Sequence, residues 1–170
     1  GAVISHVAIT DLKLAEVALR ASSQSFANLL KNLSGAAYRC RNDPDWTIEY
    51  ISEGCLDLTG YRSDELLGNK VTSLGALMHP DDAGPDWAKC QANLAARLAC
   101  SNEYRILHRD GGVRWIWDQA QGICAESGEI SHIEGLLSDI TERKHSEEQL
   151  RSKETALALQ HSLLRSIIDT

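Results

Sequence analysis

Three stretches rich in aliphatic and aromatic residues follow one another with only tight turns between them, and they constrain the fold more than any other feature. The turn chemistry comes from Asp110-Gly111-Gly112 and Ser127-Gly128-Glu129. Parallel neighbours would need crossover connections of a dozen or more residues. The sequence therefore predicts an antiparallel meander of three strands, at Glu103–Arg109, Val113–Cys124 and Ile130–Ser138.

Two shorter β runs precede the meander, at Ala37–Arg41 and Trp46–Ile51, with turn residues between them. The segment that joins them to the meander reads as helical. We expect short helices from Ser52 or Glu53 to Thr59 and from Ser63 to Gly68, and a loop or one helical turn over 69–78. The predicted class is α+β, a five-stranded antiparallel sheet with helices on one face.

A longer helix is expected before the meander. His79-Pro80-Asp81-Asp82 is typical of a helix start, since proline suits the first position and acids complement the helix dipole. Gly84-Pro85 is predicted to interrupt it, so that the main helix spans Asp86–Ala99. Its apolar stripe is Trp87, Cys90, Leu94 and Leu98.

Long helical connectors flank the sheet on both sides. The first is predicted from Thr10 to Leu33, ending at Gly35, and the second follows Asp139-Ile140-Thr141-Glu142 without a breaker up to Thr170. The domain division is thus 1–35, 36–141 and 142–170. We expect the connectors to pair in a parallel homodimer through Phe26, Leu29, Leu30, Leu33, Leu150, Leu157 and Leu164.

The seam of the second connector is only half apolar. Leu150, Leu157 and Leu164 are seven residues apart, as in a coiled coil. The opposing seam positions are mostly polar: Glu147, Glu154, His161 and Ile168. The first connector is therefore expected to supply the rest of the dimer contact by packing on the partner's domain.

A short internal repeat links the two connectors. Leu163-Leu164-Arg165-Ser166-Ile167 resembles Leu29-Leu30-Lys31-Asn32-Leu33, which precedes the predicted domain. We expect another similar domain after Thr170, which the full-length gene would confirm or exclude.

Composition excludes several classes of partner. The 170 residues carry a net charge of −7 and have no run of lysine or arginine, so nucleic acid and anionic membranes are poor partners. No stretch reaches 18 apolar residues and no signal peptide is present. We expect a piece of a larger cytoplasmic protein.

Five cysteines form neither a metal motif nor a disulfide framework. Their number is odd and no Cys-x-x-Cys occurs. All five are expected to be buried reduced thiols, and a redox-sensing cysteine is the alternative. They are Cys40, Cys55, Cys90, Cys100 and Cys124.

Four segments, in order, resemble the PAS family in its bacterial PAS–PAC form. The first runs from Tyr50 to Tyr61 and ends in Gly60-Tyr61, and the second is Met78-His79-Pro80-Asp81-Asp82. The third is the hairpin from Glu103 to Trp115, and the fourth runs from Gly135 to Lys144 through Asp139-Ile140-Thr141. Together they span about 36–150.

The resemblance implies a role as well as a fold. Such domains sit upstream of histidine kinase, cyclic-dinucleotide cyclase or similar output modules, usually dimerise, and sense a ligand, cofactor or partner. It also implies that Asp139 and Thr141 couple the sheet to the exit helix. Independently of the family, Asp and Thr at that point are good caps for a helix start.

No cofactor is predicted. The photoreactive cysteine of the flavin-binding subgroup would fall at Val71 and its flavin-contacting glutamine near Leu137, and neither residue can do that chemistry. Haem-binding members commonly take a histidine from the long helix, which has none between Asp86 and Cys100. Cys90 is expected to pack in the core, and His79 to order the helix entry.

Two functions of different classes stay open. One is a small-molecule sensor whose cavity lies between sheet and helices, with Leu94 and Leu137 as candidate lining, and the other is a dimerising relay that binds no small ligand. No GxxxxGK, HExxH or GxSxG motif indicates catalysis, so the fragment is expected to be non-catalytic. A ligand-dependent thermal shift or a species bound in native mass spectrometry would favour the sensor.

Overall fold

The computed structural model contains one five-stranded antiparallel sheet. It describes residues 2–31 and 35–168, with side chains described at 8–25, 35–165 and 167. The strand order is β2-β1-β5-β4-β3. The strands are β1 (Ala36–Arg41), β2 (Ile48–Ile51), β3 (Cys100–Leu107), β4 (Val113–Cys124) and β5 (Ile130–Asp139). The predicted α+β class and the antiparallel meander are confirmed.

Six α-helices accompany the sheet within the described ranges. Short α2 ends on Gly60, whose positive φ of 78° forms a left-handed cap. One 3-10 turn follows α3 at Leu67–Asn69, and the single helical turn foreseen within 69–78 is α4. The helices are α1 (Ala2–Lys31), α2 (Cys55–Thr59), α3 (Ser63–Leu66), α4 (Leu74–Leu77), α5 (Pro80–Ala95) and α6 (Thr141–Ile168).

Two strands begin at least two residues away from their predicted starts. Trp46 is not in β2, because its φ of 50° places it in a turn where its N–H donates to the Asp43 carbonyl at 3.0 Å. Strand β3 begins three residues earlier than predicted, at Cys100, because pairing with β4 extends to the Cys100–Ala120 pair. The start of β2 is set by this local turn, and the start of β3 by pairing with β4, a tertiary partner that the local pattern does not contain.

The expected break at Gly84-Pro85 is wrong. Helix α5 runs unbroken from Pro80 to Ala95 with Pro85 inside it. The hydrogen bond that proline cannot donate would go to the carbonyl of Asp81, and both residues are exposed, so water can satisfy that carbonyl. Helix α5 ends before Arg97, whose φ is +56°. Leu98 therefore lies outside the helix and is 59% exposed, contrary to the predicted stripe.

The connectors are long helices. The leucines at 150, 157 and 164 of α6 are 60%, 57% and 51% exposed. The predicted contacts at Phe26, Leu29, Leu30 and Leu33 fall outside the described side chains. Among the described residues, no helix has both the length and the apolar character that a membrane crossing would require.

A small residue in β5 shapes the inner face of the sheet, the face that packs on the helices. Gly135 lies between Tyr38 of β1 and Ala120 of β4 in register. A Cβ added at Gly135 would lie 2.7 Å from the Gln119 carbonyl oxygen and 2.8 Å from Tyr38 Cε1. The Tyr38 ring thus passes over a position where no side chain fits, which lets its hydroxyl reach β4.

We predict that Gly135→Ala destabilises the domain by about 1–3 kcal/mol, since the added methyl overpacks a buried contact. Urea unfolding at fixed pH measures the change. Glu134→Ala, which alters the adjacent outward-facing position, is the control and is expected to cost less than about 1 kcal/mol. Equal losses in both variants would contradict the close approach of the Tyr38 ring.

Candidate sensing cluster and coupling junction

A carboxylate lies on the inner face of the sheet, held by two tyrosines. Asp118 of β4 accepts hydrogen bonds from the Tyr38 hydroxyl at 3.0 and 3.1 Å and from the Tyr104 hydroxyl at 3.2 Å. Tyr38 and Tyr104 are 4% and 1% exposed. Because β1 and β3 lie on opposite sides of β4, the two phenols reach the carboxylate from opposite directions.

A second acid faces this group from α5. Asp86 is buried and is hydrogen-bonded to Asn102, which lies opposite Asp118 in the β3–β4 register. Asn102 is 6% exposed, and its Oδ1 has no hydrogen-bond partner among the described residues. We call Tyr38, Asp86, Asn102, Tyr104 and Asp118 the inner polar cluster.

Burial sets the electrostatics of the inner polar cluster. Removal from water raises the pKa of Asp118 to about 7, and the charge of Asp86 adds to the rise, while the tyrosine hydrogen bonds oppose it. Burial also raises the pKa of Asp86, and it raises the pKa values of Tyr38 and Tyr104 well above their ordinary value. The cluster can therefore take up or release a proton near neutral pH.

One of the two predicted pocket residues lies beside this cluster, and the other lies farther along the sheet. Leu137 is 2% exposed and sits opposite Asp118 in the β4–β5 register. Leu94 is 3% exposed and packs over Gly122. Sequence reasoning missed Asp118, although a charged residue between the inward-facing Ile116 and Ala120 was a usable signal.

The positions predicted to couple the sheet to the exit helix are brought together. Asp139 Oδ1 accepts from the Thr141 N–H at 2.7 Å, which caps α6. The Thr141 hydroxyl accepts from the Trp115 N–H of β4 at 2.9 Å, and the Ile140 N–H donates to the Trp115 carbonyl at 2.8 Å. The first turn of α6 is thus bonded to β4 as an extension of its ladder, and we call this the coupling junction.

Charged side chains of the outer face reinforce the junction. Lys144 of α6 lies 4.9 Å from the Trp115 ring centre and Arg105 of β3 lies 5.6 Å from it. Lys144 and Arg143 both pair with Glu103 at 2.5 Å. The Glu103 pKa is lowered, first by its hydrogen bond to Lys144 and then by that to Arg143.

Helix α5 is tied to β3 by three successive pairs, which we call the α5–β3 ladder. The Asp82 carboxylate accepts hydrogen bonds from Arg105 Nη2 at 2.6 Å and from Arg105 Nε at 2.9 Å. Asp86 is hydrogen-bonded to Asn102, and the sulfur atoms of Cys90 and Cys100 are 2.8 Å apart. The acids and Cys90 are four residues apart on α5, so they share one face. Asp82 therefore does more than complement the helix dipole.

His79 orders the start of α5, as predicted. The histidine caps the helix, and its Nδ1 accepts a hydrogen bond from the Asp81 N–H at 3.3 Å.

Four cysteines are buried as predicted, but Cys124 is exposed because it ends β4 at a register shift. Val71, the position of the absent photoreactive cysteine, is 59% exposed.

Comparison with known proteins identifies the family. The family model described as "PAS fold" matches residues 48–137, slightly more than half of the chain. The chain belongs to the PAS family, and its domain is a non-catalytic sensory signalling domain.

Relatives carry this domain within larger proteins. The methyl sulfide methyltransferase-associated sensor of Methanosarcina acetivorans is 32% identical over 118 residues, 69% of this chain but 12% of that protein. A sensory box histidine kinase/response regulator structure from Burkholderia thailandensis superposes with a TM-score of 0.64 at 27% identity, covering 78% of this chain and 97% of that one. The N-terminal domain of a diguanylate cyclase with PAS/PAC sensor from Marinobacter aquaeolei shares the fold, with a TM-score of 0.56 at 24% identity over 65% of this chain and 99% of that one.

We predict that Asp118 makes the domain less stable as pH rises from 5 to 8. Its pKa is about 7 in the fold and near 4 when unfolded, so in this window the folded state holds a proton that the unfolded state has lost. The loss is about 2–3 kcal/mol, and Asp118→Asn should remove most of it.

Urea unfolding at pH 5 and pH 8 measures this difference. Asp64→Asn is the matched control, because Asp64 is exposed and its hydrogen bond to Arg62 lowers its pKa below the window. If the unaltered chain and Asp118→Asn lose the same free energy of unfolding between pH 5 and pH 8, the Asp118 carboxyl does not titrate in this range.

Proposed function

We propose that this chain is the sensory PAS segment of a multidomain cytoplasmic signalling protein that dimerises through its helical connectors. The output would be a histidine kinase or a cyclic-dinucleotide cyclase, the two classes named among the similar structures. The observation that carries the relay role is the coupling junction, in which Thr141 at the start of α6 accepts a hydrogen bond from Trp115 of β4.

The sheet offers a direct connection between the inner polar cluster and α6. Asp118 and Trp115 belong to the same strand and point to opposite faces, three residues apart. A ligand or proton that shifts Asp118 would therefore move the strand segment to which α6 is bonded. This arrangement supports a sensor that passes changes from one face of the sheet to the other.

A small-molecule ligand is part of this proposal. The inner polar cluster has two acids and an unpartnered amide oxygen in Asn102. Buried acceptors of this kind are stabilised by a hydrogen-bond donor. A ligand with donor groups would suit them better than an anionic one, and Leu94 and Leu137 would form the apolar border of its site.

Exposed leucines on α6 support dimerisation. Each of Leu150, Leu157 and Leu164 would contribute about 1.5–3 kcal/mol on burial, and a dimer buries two copies of each. Association costs about 4–15 kcal/mol in lost freedom. The two totals are of the same order, so α6 needs help from α1, whose exposed apolar side chains include Leu12, Val17 and Leu19, each at least 66% exposed.

We predict that Asp139→Ala lowers the free energy of unfolding by about 1 kcal/mol, through loss of the α6 cap, and uncouples output in the full-length protein. Asp139→Asn should keep both the free energy of unfolding and the output near those of the unaltered protein, since asparagine caps about as well as aspartate. Urea unfolding of the domain and output activity of the full-length protein are the two measurements. Unchanged signalling in Asp139→Ala would count against the coupling role.

We predict that replacing Leu150, Leu157 and Leu164 together by serine weakens self-association of the chain by at least tenfold, which is about 1.4 kcal/mol. Sedimentation equilibrium measures the dissociation constant. Leu159→Ser is the control, because Leu159 is 62% exposed and lies off the seven-residue seam. A chain that is monomeric at high micromolar concentration would contradict the dimer.

A further inference from the structure

The α5–β3 ladder contains one pair of side chains that can become covalently joined. Cys90 of α5 and Cys100 at the start of β3 have their sulfur atoms 2.8 Å apart, about 0.8 Å more than a disulfide bond. Each residue is 3% exposed. The thiol of Cys55 differs, since its contact is the Tyr61 carbonyl oxygen at 3.5 Å.

Neighbouring contacts hold the two sulfurs face to face. Lys89 Nζ donates to the Ser101 carbonyl at 2.9 Å, so the residues next to the two cysteines are themselves bonded. One turn earlier on α5, Asp86 is hydrogen-bonded to Asn102. The chain between the cysteines is short, since they are ten positions apart in the sequence. The sulfurs need to approach by only about 0.8 Å to reach bonding distance.

We propose that Cys90 and Cys100 form a peroxide-responsive thiol pair that closes to an intramolecular disulfide between α5 and β3. This goes beyond the proposed relay function and does not depend on the output domain. One thiol loses its proton, the thiolate attacks one peroxide oxygen, the O–O bond breaks, and a sulfenic acid and hydroxide form; the hydroxide takes up the released proton and leaves as water. The second thiol attacks the sulfenic sulfur, the S–S bond forms as the S–O bond breaks, and the thiol proton leaves with the hydroxyl group as a second water. Two electrons pass from the two sulfurs to hydrogen peroxide, and a dithiol reductant reverses the reaction.

Burial makes this a slow, gated reaction. The pKa values of both thiols are raised, mainly by removal from water, so the reactive thiolate is scarce in the closed fold. Reaction therefore requires transient opening between α5 and β3. The exposed Cys124 would react with peroxide before the pair does.

Disulfide formation would fix α5 at the edge of the inner polar cluster. Cys90 lies one turn after Asp86, the cluster member that α5 contributes. The reversible contacts of Asp86 and Asp82 with β3 would then be supplemented by a bond that does not open. Hydrogen exchange of α5 amides should slow in the oxidised chain, and the melting temperature should rise by roughly 5–10 °C.

The test uses the full 170-residue chain carrying Cys124→Ser, which prevents cross-linking between chains through the exposed thiol. The folded protein is exposed to hydrogen peroxide, remaining thiols are blocked with N-ethylmaleimide, and intact mass and non-reduced peptide maps are recorded. The expected product has lost two hydrogen atoms, contains linked Cys90 and Cys100 peptides, and reverts with dithiothreitol.

Single variants assign the bond. Cys90→Ala and Cys100→Ala should each abolish the product, and Cys55→Ala should retain it as a matched buried thiol. If an alanine variant fails to fold, the linked peptide in the Cys124→Ser chain still decides the question. The proposal is overturned if that peptide is still absent after exposure continued well beyond the time at which Cys124 of the unaltered chain is fully oxidised. It is also overturned if the peptide forms only in urea.

Discussion

Strand β4 is the constraint on which the rest of the structure depends. It pairs with β3 over eight residue pairs and with β5 over nine, so both of its edges are hydrogen-bonded. Its inward side presents Asp118, and its backbone at Trp115 receives both Thr141 and Ile140 of the exit segment. Any change in the register of β4 would move Asp118 away from its two tyrosines and Trp115 away from Thr141.

The sequence predicted the strands of the meander well because their order is encoded locally, by alternating apolar residues and by glycine turns. It also predicted the cap of α6, since Asp139 accepts from the Thr141 N–H only two positions away. It placed Trp46 in a strand and Leu98 in a helix, and both errors have one cause. A residue with positive φ limits each element: Trp46 lies before the start of β2, and Arg97 lies after the end of α5.

The inner polar cluster could not be assembled from sequence. Its members come from β1, α5, β3 and β4, and only the register of the sheet brings Tyr38 and Tyr104 to the same carboxylate. The Cys90–Cys100 contact was hidden in the same way, since it depends on where α5 stops. A pattern of single residues predicts which side of an element is buried, but not which buried side chains meet.

The described bonds between α6 and the sheet lie at its first turn, and this has a geometric consequence. The helix has 28 residues, which corresponds to about 42 Å, and its first turn is bonded to the sheet while its described leucines are exposed. A tilt of roughly 10° about Thr141 would carry the far end through about 7 Å. The helix is in effect a lever pivoted at Thr141, and it converts a displacement of a fraction of an ångström in β4 into one as large as a helical turn.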